Sequence, residues 1–256
     1  MRNNFVSTLA VLSLGAASLM AQPQNVRLIG IAGPTILTEA GTYMLTTGLT
    51  VSSSTGAGIQ ISGNNIVLDL NGQTITGAGN ATGAGVRVVG ARNVVVKNGN
   101  VEAALMGVVT MMSSNVRIEN MMIRGMAGAP PEAGIMMVQT WNSVVANNQI
   151  ANTALGIFVR GGNTFGNRIE NNTVTTSSVS APLGICYNPA DTDPAGPKGD
   201  LIRGNLIRGY RQAIAFSSSS DFNVVEGNTF IFRTSASSNP SETNVFKNNT
   251  DVRIAN

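Results

Sequence analysis

Glycine followed by alternating apolar positions recurs along the chain. The copies are Gly58-Ile59-Gln60-Ile61, Gly85-Val86-Arg87-Val88, Gly107-Val108-Val109-Thr110, Gly134-Ile135-Met136-Met137, Gly156-Ile157-Phe158-Val159 and Gly184-Ile185-Cys186-Tyr187. A seventh copy, Ala213-Ile214-Ala215-Phe216, has alanine in the glycine place. Period-2 alternation of β-branched residues predicts a short strand in each. A second strand signal follows, as in Ile66-Val67-Leu68-Asp69-Leu70, Val94-Val95-Val96-Lys97 and Val116-Arg117-Ile118-Glu119. It ends at a two-residue turn built almost wholly from Asn and Gly: Asn71-Gly72, Asn98-Gly99, Asn120-Met121, Asn147-Asn148, Asn171-Asn172, Gly204-Asn205, Gly227-Asn228 and Asn248-Asn249. These residues tolerate left-handed backbone cheaply, so a chain bending at the same corner of every lap selects them. An apolar residue follows each of the first seven turns: Ile75, Val101, Ile123, Ile150, Val174, Ile207 and Phe230. No stretch after residue 22 carries 3.6-residue periodicity with caps, so helix is not expected.

The spacing turns these signals into an architecture. Glycine and turn are 13 residues apart in the first four copies, then 15, 20 and 14. The turns recur with a period of about 25 residues, in the range of solenoid repeats. Hairpins of a sandwich would not hold an offset of 13 while the rest of each lap varies. Three strands per lap, each pairing with its counterpart in the next, predict an all-β, single-stranded parallel β-helix of about eight coils. At ~4.8 Å per lap it would be a rod of roughly 40 Å. Inward residues would stack as aliphatic ladders, and the turn asparagines as amide ladders along the same axis. The segment from turn to next glycine runs 14, 9, 14, 9, 13 and 9 residues, so alternate laps carry longer loops at 76–84, 126–133 and 177–183. A larger insertion, 188–199, falls at another corner. The expected organisation is a signal peptide (1–21), an N-terminal cover with opening coils (22–57), the repeats (58–230), and a last lap with tail (231–256). Open solenoid ends need such covers because exposed strand edges pair with other chains.

Composition narrows the function classes. With 16 Lys+Arg and 13 Asp+Glu the formal net charge is only +3. No basic run alternates with aromatics, so nucleic acid is not an expected partner. The chain has no His, which removes imidazole acid/base chemistry and His-ligated zinc. Cys186 is the single cysteine, so no intrachain disulfide can form. Arg2, the apolar residues 5–14 and a small-residue site ending at Ala21 read as a signal peptide. The apolar run is shorter than the ~20 residues of a spanning helix, so the expectation is a secreted or periplasmic protein without a membrane span.

The glycine-led strands and the Asn-rich turns, as in Arg168-Ile169-Glu170-Asn171-Asn172-Thr173-Val174, resemble the right-handed parallel β-helix superfamily of pectate-lyase-like proteins. The segment Leu68-Asp69-Leu70-Asn71-Gly72-Gln73-Thr74-Ile75 is similar to an early coil of its secreted bacterial members. The resemblance spans roughly residues 36–250 and implies right-handed winding, but no one activity, since such repeats serve lyases, hydrolases, epimerases and proteins of no known activity. It also implies glycans along the outer face of one parallel sheet. With Ile59 and Ile61 inward, the outward pairs are Gln60/Ser62, Arg87/Val89, Val109/Met111, Met136/Val138, Phe158/Arg160, Cys186/Asn188 and Ala215/Ser217. The middle of that face is apolar, where an anionic-sugar cleft would carry charge. Val109, Met111, Met136, Val138 and Phe158 therefore form a candidate partner face, through which a homo-oligomer could assemble. Eight of the eleven methionines lie between Met106 and Met137. They read as adaptable packing, as a covered contact, or as soft Cu(I) ligands.

Polar candidates gather at residues 187–211. Asp191, Asp193 and Asp200 offer a Ca²⁺ site. Lys198 or Arg203 would take the proton in a β-elimination, and Tyr187, Arg160, Arg208 and Arg211 would hold substrate. The same residues also fit a solvated loop. Trp141 reads as a corner residue or a sugar-stacking platform. The expected partner is a polysaccharide or cell-surface glycan, bound without strong catalysis. The alternatives are a lyase acting on a uronate polymer near 188–211 and an assembly module using the Met-rich face.

Overall fold

A computed structural model of the chain describes residues 28–51, 56–77, 83–102, 106–125, 133–188, 195–239 and 241–254. The expected signal peptide, the 126–132 loop, Asp191 and Asp193 lie outside the described residues. The chain forms two parallel sheets. A narrow sheet of nine strands collects the glycine-led segments: Ala57–Ile61, Ala84–Val89, Met106–Met111, Ala133–Val138, Leu155–Arg160, Leu183–Asn188 and Gln212–Phe216. Thr35–Leu37 and Ser235–Ser238 frame it. Nine stacked strands enclose eight laps, the number expected from the turns. A broad sheet of 17 strands takes the two segments flanking each Asn/Gly turn, for example Val144–Ala146 and Gln149–Ala151. Among the described residues there is no helix.

The recurrent glycine is explained by space. Each glycine of the narrow sheet faces inward against the apolar residue that follows the next turn. A Cβ on Gly58 would lie 2.8 Å from Ile75 Cγ2, and one on Gly107 2.5 Å from Ile123 Cγ2. Gly85, Gly134, Gly156 and Gly184 meet Val101, Ile150, Val174 and Ile207 in the same way. None of these glycines has positive φ, so the lap is pinched here by side-chain packing rather than by backbone conformation. The interior beside them is a column of stacked aliphatics, with Ile59, Val86, Val108, Ile135, Ile157, Ile185 and Ile214 all fully buried.

The turn asparagines do what their type predicts. The first residue of all eight turns is left-handed: Asn71, Asn98, Asn120, Asn147, Asn171 and Asn248, with Gly204 and Gly227 completing the column. The second residue of the later turns points inward and builds an amide ladder. Asn148 Nδ2 donates to Asn172 Oδ1 (2.9 Å), Asn172 to Asn205 (2.9 Å), Asn205 to Asn228 (3.0 Å) and Asn228 to Asn249 (3.0 Å). Each Nδ2 also reaches a backbone carbonyl, as from Asn172 to Val145 O (2.9 Å). The outer face of the broad sheet carries a charge ladder in register: Asp69, Lys97, Glu119, Ala146, Glu170, Arg203, Glu226 and Lys247. Opposite signs adjoin except around Ala146, with Arg203–Glu170 at 3.0 Å and Lys247–Glu226 at 2.8 Å. The cations of these pairs are about half exposed, so the pairs set register more than they stabilise.

Candidate functional site

Among the described residues, those expected at 187–211 do not share one cleft. Tyr187 and Asp200 are each 1% exposed and bond to each other inside the coil, Tyr187 Oη donating to Asp200 Oδ2 at 3.1 Å. Arg203 belongs to the charge ladder, held by Glu170 and Glu226. Arg208 ends Leu206–Arg208 on the exposed face of the broad sheet. Arg211 borders a small cavity of about 170 Å³ with Leu183 and Gln212. Lys198 is exposed on the corner that leads from the narrow sheet to the broad one. Among the described residues no cluster of three His, Cys, Asp or Glu side chains is placed to hold a metal.

Asp200 stands in a second buried ladder, at the corner before the broad sheet. Its members are Ser143, Asn167, Asp200, Asn223 and Asn244, all nearly inaccessible. The side-chain oxygen of each member from Asn167 onward accepts the N–H of the member one lap before: Asn167 for Ser143 (3.0 Å), Asp200 for Asn167 (2.7 Å), Asn223 for Asp200 (3.0 Å) and Asn244 for Asn223 (2.8 Å). A carboxyl thus occupies a place where the neighbouring laps use amides. Burial pushes it up to about 7, against the lowering pull of its bonds from Asn167 and Tyr187. Burial, with the adjacent carboxylate, holds the Tyr187 phenol well above its ordinary value.

The middle of the outward face of the narrow sheet is apolar, as read from the alternation, and it is also largely buried. Val109, Met136, Phe158 and Cys186 are between 2% and 9% exposed, in a cluster separate from the main core. Met111 and Val138 pack against it, partly buried. The Arg160 guanidinium lies 5.9 Å from the Phe158 ring centroid, in cation–π range. Burial pushes the Cys186 thiol up to about 11, so it behaves as a small apolar group.

Directly after these strands, the corner presents rings. Trp141 and Phe165 occupy one column on successive laps, preceded by Ser114 and followed by Lys198. Their ring centroids are 6.3 Å apart and their planes differ by 15°. Phe165 is 41% exposed, and Met112 beside the pair is 53% exposed. With Gln139 and Asn163 these residues line an open cavity of about 400 Å³. The backbone beneath is fixed from both sides. On one side lies a buried hydroxyl column: Thr110 Oγ1 bonds Thr140 Oγ1 (2.9 Å), Thr164 Oγ1 accepts from Thr140 N (3.3 Å), and Ser113 Oγ donates to Met111 O (2.8 Å). On the other side lies the Ser143–Asn167–Asp200 ladder. The rings therefore stand on a rigid support, and rigid presentation lowers the entropy lost on binding. The sequence offers Trp141 as a possible platform; Phe165, 24 residues away, joins it only through the register of successive laps.

Known proteins place the coil in context. The solved Dettilon tailspike protein aligns with 18% identity and a TM-score of 0.61, over 89% of this chain and 55% of that one. The enzymatically active domain of tailspike protein 2 from bacteriophage CBA120 aligns with 13% identity and a TM-score of 0.56, over 89% and 39%. The periplasmic alginate epimerase AlgG aligns with 14% identity and a TM-score of 0.51, over 86% and 71%. The chain thus spans about half the length of the Dettilon protein, and at these identities the likeness is one of fold. No curated protein matches the sequence. The family described as "right handed beta helix region" matches residues 35–188, more than half of the chain. With parallel strands, glycine-pinched laps and amide ladders, the chain belongs to the right-handed β-helix family.

Proposed function

We propose that this protein is an exported β-helix that holds glycan chains at the Trp141–Phe165 corner, without strong catalytic activity. The observation that carries the reading is the near-parallel pair of rings, presented to solvent on a doubly anchored corner. Sugar rings are amphipathic: their C–H faces pack on aromatic faces, while their hydroxyls need donors and acceptors at the rim. Gln139 and Asn163 supply those groups. Fold neighbours support the reading, since they include phage tailspikes and an alginate epimerase. The epimerase is periplasmic, in line with the signal-peptide pattern of residues 1–21.

Binding fits better than bond cleavage because the described carboxylates near the corner are already engaged. Asp200 is in the ladder, Asp221 accepts from Ser241 and Thr243, and Glu170 holds Arg168 and Arg203. Of the two alternative bases for a lyase, Lys198 stands on the exposed corner and Arg203 is held by Glu170 and Glu226. Trp141 is the only tryptophan, so its fluorescence reports on the site alone. Titration of the purified protein with a panel of oligosaccharides should change its emission, and Phe165→Ala should weaken that response at least tenfold. A response equal in Phe165→Ala would place the ligand elsewhere. Incubation with polyuronates and Ca²⁺ should release no ultraviolet-absorbing unsaturated product; steady release would restore the lyase reading.

A further inference from the structure

The cations of the charge ladder are paired, but those of one corner are not. Lys97, Arg117, Arg168, Arg203 and Lys247 each reach a carboxylate. Arg208, Arg211 and Arg233 make no ion pair among the described residues. They stand where each lap leaves the broad sheet and enters the narrow one. Arg208 ends Leu206–Arg208, Arg211 precedes Gln212–Phe216, and Arg233 follows Thr229–Phe232. One lap further, Arg253 Nε–H donates to Arg233 O (3.4 Å). Along this corner, at 173–183, 206–216, 229–238 and 250–254, the sequence has a single acid, Asp251. Asp251 is in register with the buried Phe230, on the core side of its strand. The corner thus gathers positive charge without a counter-ion of its own.

A small cavity opens there. Its volume of about 170 Å³ is lined by Arg211, Gln212, Thr234 and Ser235, with Pro182 and Leu183 as an apolar wall. None of the four polar side chains has a hydrogen-bond partner among the described residues. At the other corners such side chains are tied into ladders, as Thr110 to Thr140 and Asn172 to Asn205. The backbone carrying the four is fixed across three laps. Arg211 N–H donates to Ala181 O (3.0 Å) and Gln212 N–H to Pro182 O (3.0 Å). The Thr234 and Ser235 N–H groups both donate to Arg211 O (2.8 and 3.1 Å). Arg233, the residue before Thr234, is anchored by its Nε–H on Gly209 O (2.9 Å).

A guanidinium fork, a carboxamide and two hydroxyls make a donor-rich set that suits an oxyanion. A tetrahedral dianion fits better than a carboxylate. Its oxygens can meet donors from several sides, and its second charge answers the further guanidinium groups of the corner. The cavity is smaller than the ~300 Å³ of sites that enclose whole small molecules, so it takes a group and leaves the rest of the ligand outside. We infer that this cavity binds the phosphate of a phosphomonoester, with Arg211 holding two oxygens and Gln212, Thr234 and Ser235 donating to the others. The site lies before the narrow sheet, whereas Trp141 and Phe165 lie after it, so it stands apart from the glycan reading. A soluble ester and a lipid headgroup both carry the required group.

The test is calorimetric titration with methyl phosphate, methyl sulfate and acetate at pH 7.5. A phosphomonoester has its second pKa at about 6, so it is then mostly a dianion, while the other two are monoanions. Methyl phosphate should bind at least tenfold tighter than acetate and at least threefold tighter than methyl sulfate. Arg211→Gln keeps the backbone bonds and a polar side chain. It should hold the wild-type thermal midpoint and lose at least tenfold in affinity for methyl phosphate, and Ser235→Ala about threefold. If the Arg211→Gln midpoint falls, the anion series and Ser235→Ala decide the matter alone. Flotation with phosphatidylcholine vesicles, with and without phosphatidic acid, separates the two sources. Capture that requires phosphatidic acid assigns a headgroup, and methyl phosphate binding without capture assigns a soluble ester; the site stands in both cases. If the three anions bind alike, or Arg211→Gln binds methyl phosphate as the wild type does, the corner is only a diffuse positive field and the inference falls. It falls equally if no anion binds and no vesicle is captured.

Discussion

Each lap turns two polar corners, and the two use one interior device with opposite exteriors. At the Asn/Gly corner the buried ladder is pure amide from Asn148 to Asn249, and the left-handed residue outside it is Asn or Gly in every lap. At the corner before the broad sheet the ladder mixes Ser143, Asn167, Asp200, Asn223 and Asn244. Its exterior carries Trp141, Phe165, Lys198 and Phe222. The first corner keeps the residue types that winding requires. The second departs from the cheapest local choice at several positions, and those departures cluster around the exposed rings. Stability alone would have made the two corners alike.

Breaking the regular corner should have the largest effect. Asn172→Ala strands the Asn148 N–H and the Val145 carbonyl in the interior and leaves the Asn148 amide only its bond to Ile118 O. Unsatisfied buried groups cost about 1–3 kcal/mol each, so a loss on the order of 4 kcal/mol is expected, read as a fall in the urea midpoint at constant slope.

Regularising the second corner should act in the other direction. Asp200 titrates near 7 when folded and near 3.8 in its unperturbed state. Its folded value is raised, so its stability contribution is complete at pH below about 4, declines as pH rises and is lost above about 7. Asp200→Asn would restore an amide, remove that slope and stabilise the protein at pH 8 by on the order of 3 kcal/mol. Equal thermal midpoints for the two proteins at pH 8 would contradict this, as would a wild type whose stability rises between pH 5 and 8.

Phe222→Asn should stabilise modestly, by about 1 kcal/mol, because it relieves a left-handed bulky residue. A drop in the midpoint would mean that the ring packs usefully. Trp141→Ala should be smallest on stability, within about 1 kcal/mol, while removing glycan binding. The two readouts, midpoint and binding, are expected to separate at this corner and not at the Asn/Gly corner.

The apolar outer face of the narrow sheet offers a contrast of its own. Met136 and Phe158 are 9% and 7% exposed, so Met136→Glu or Phe158→Glu places a charge among Val109, Cys186 and Ala133. The expected result is a loss of a few kcal/mol in folding, measured by denaturant titration. Wild-type stability in both variants would show this face to be open to solvent.

Much of the fold was readable because its rules are local. The Asn/Gly turns, the alternation and the constant glycine-to-turn offset each depend on a few neighbouring residues. The site was less readable. Asp200 looked like a metal ligand in a charged loop, yet the register carries it inward beside Tyr187 and Asn167. Arg203 looked catalytic, yet one-lap neighbours make it a rung between Glu170 and Glu226. Phe165 joins Trp141 only through the register of successive laps.

The sequence alone determined that this chain winds in parallel laps with left-handed amide corners, because backbone preference and period-2 burial act over short spans of chain. Only the tertiary structure decided which side chains meet along the axis. Loop lengths differ from lap to lap, so residues 14 to 33 positions apart become neighbours only once the strands lock into register.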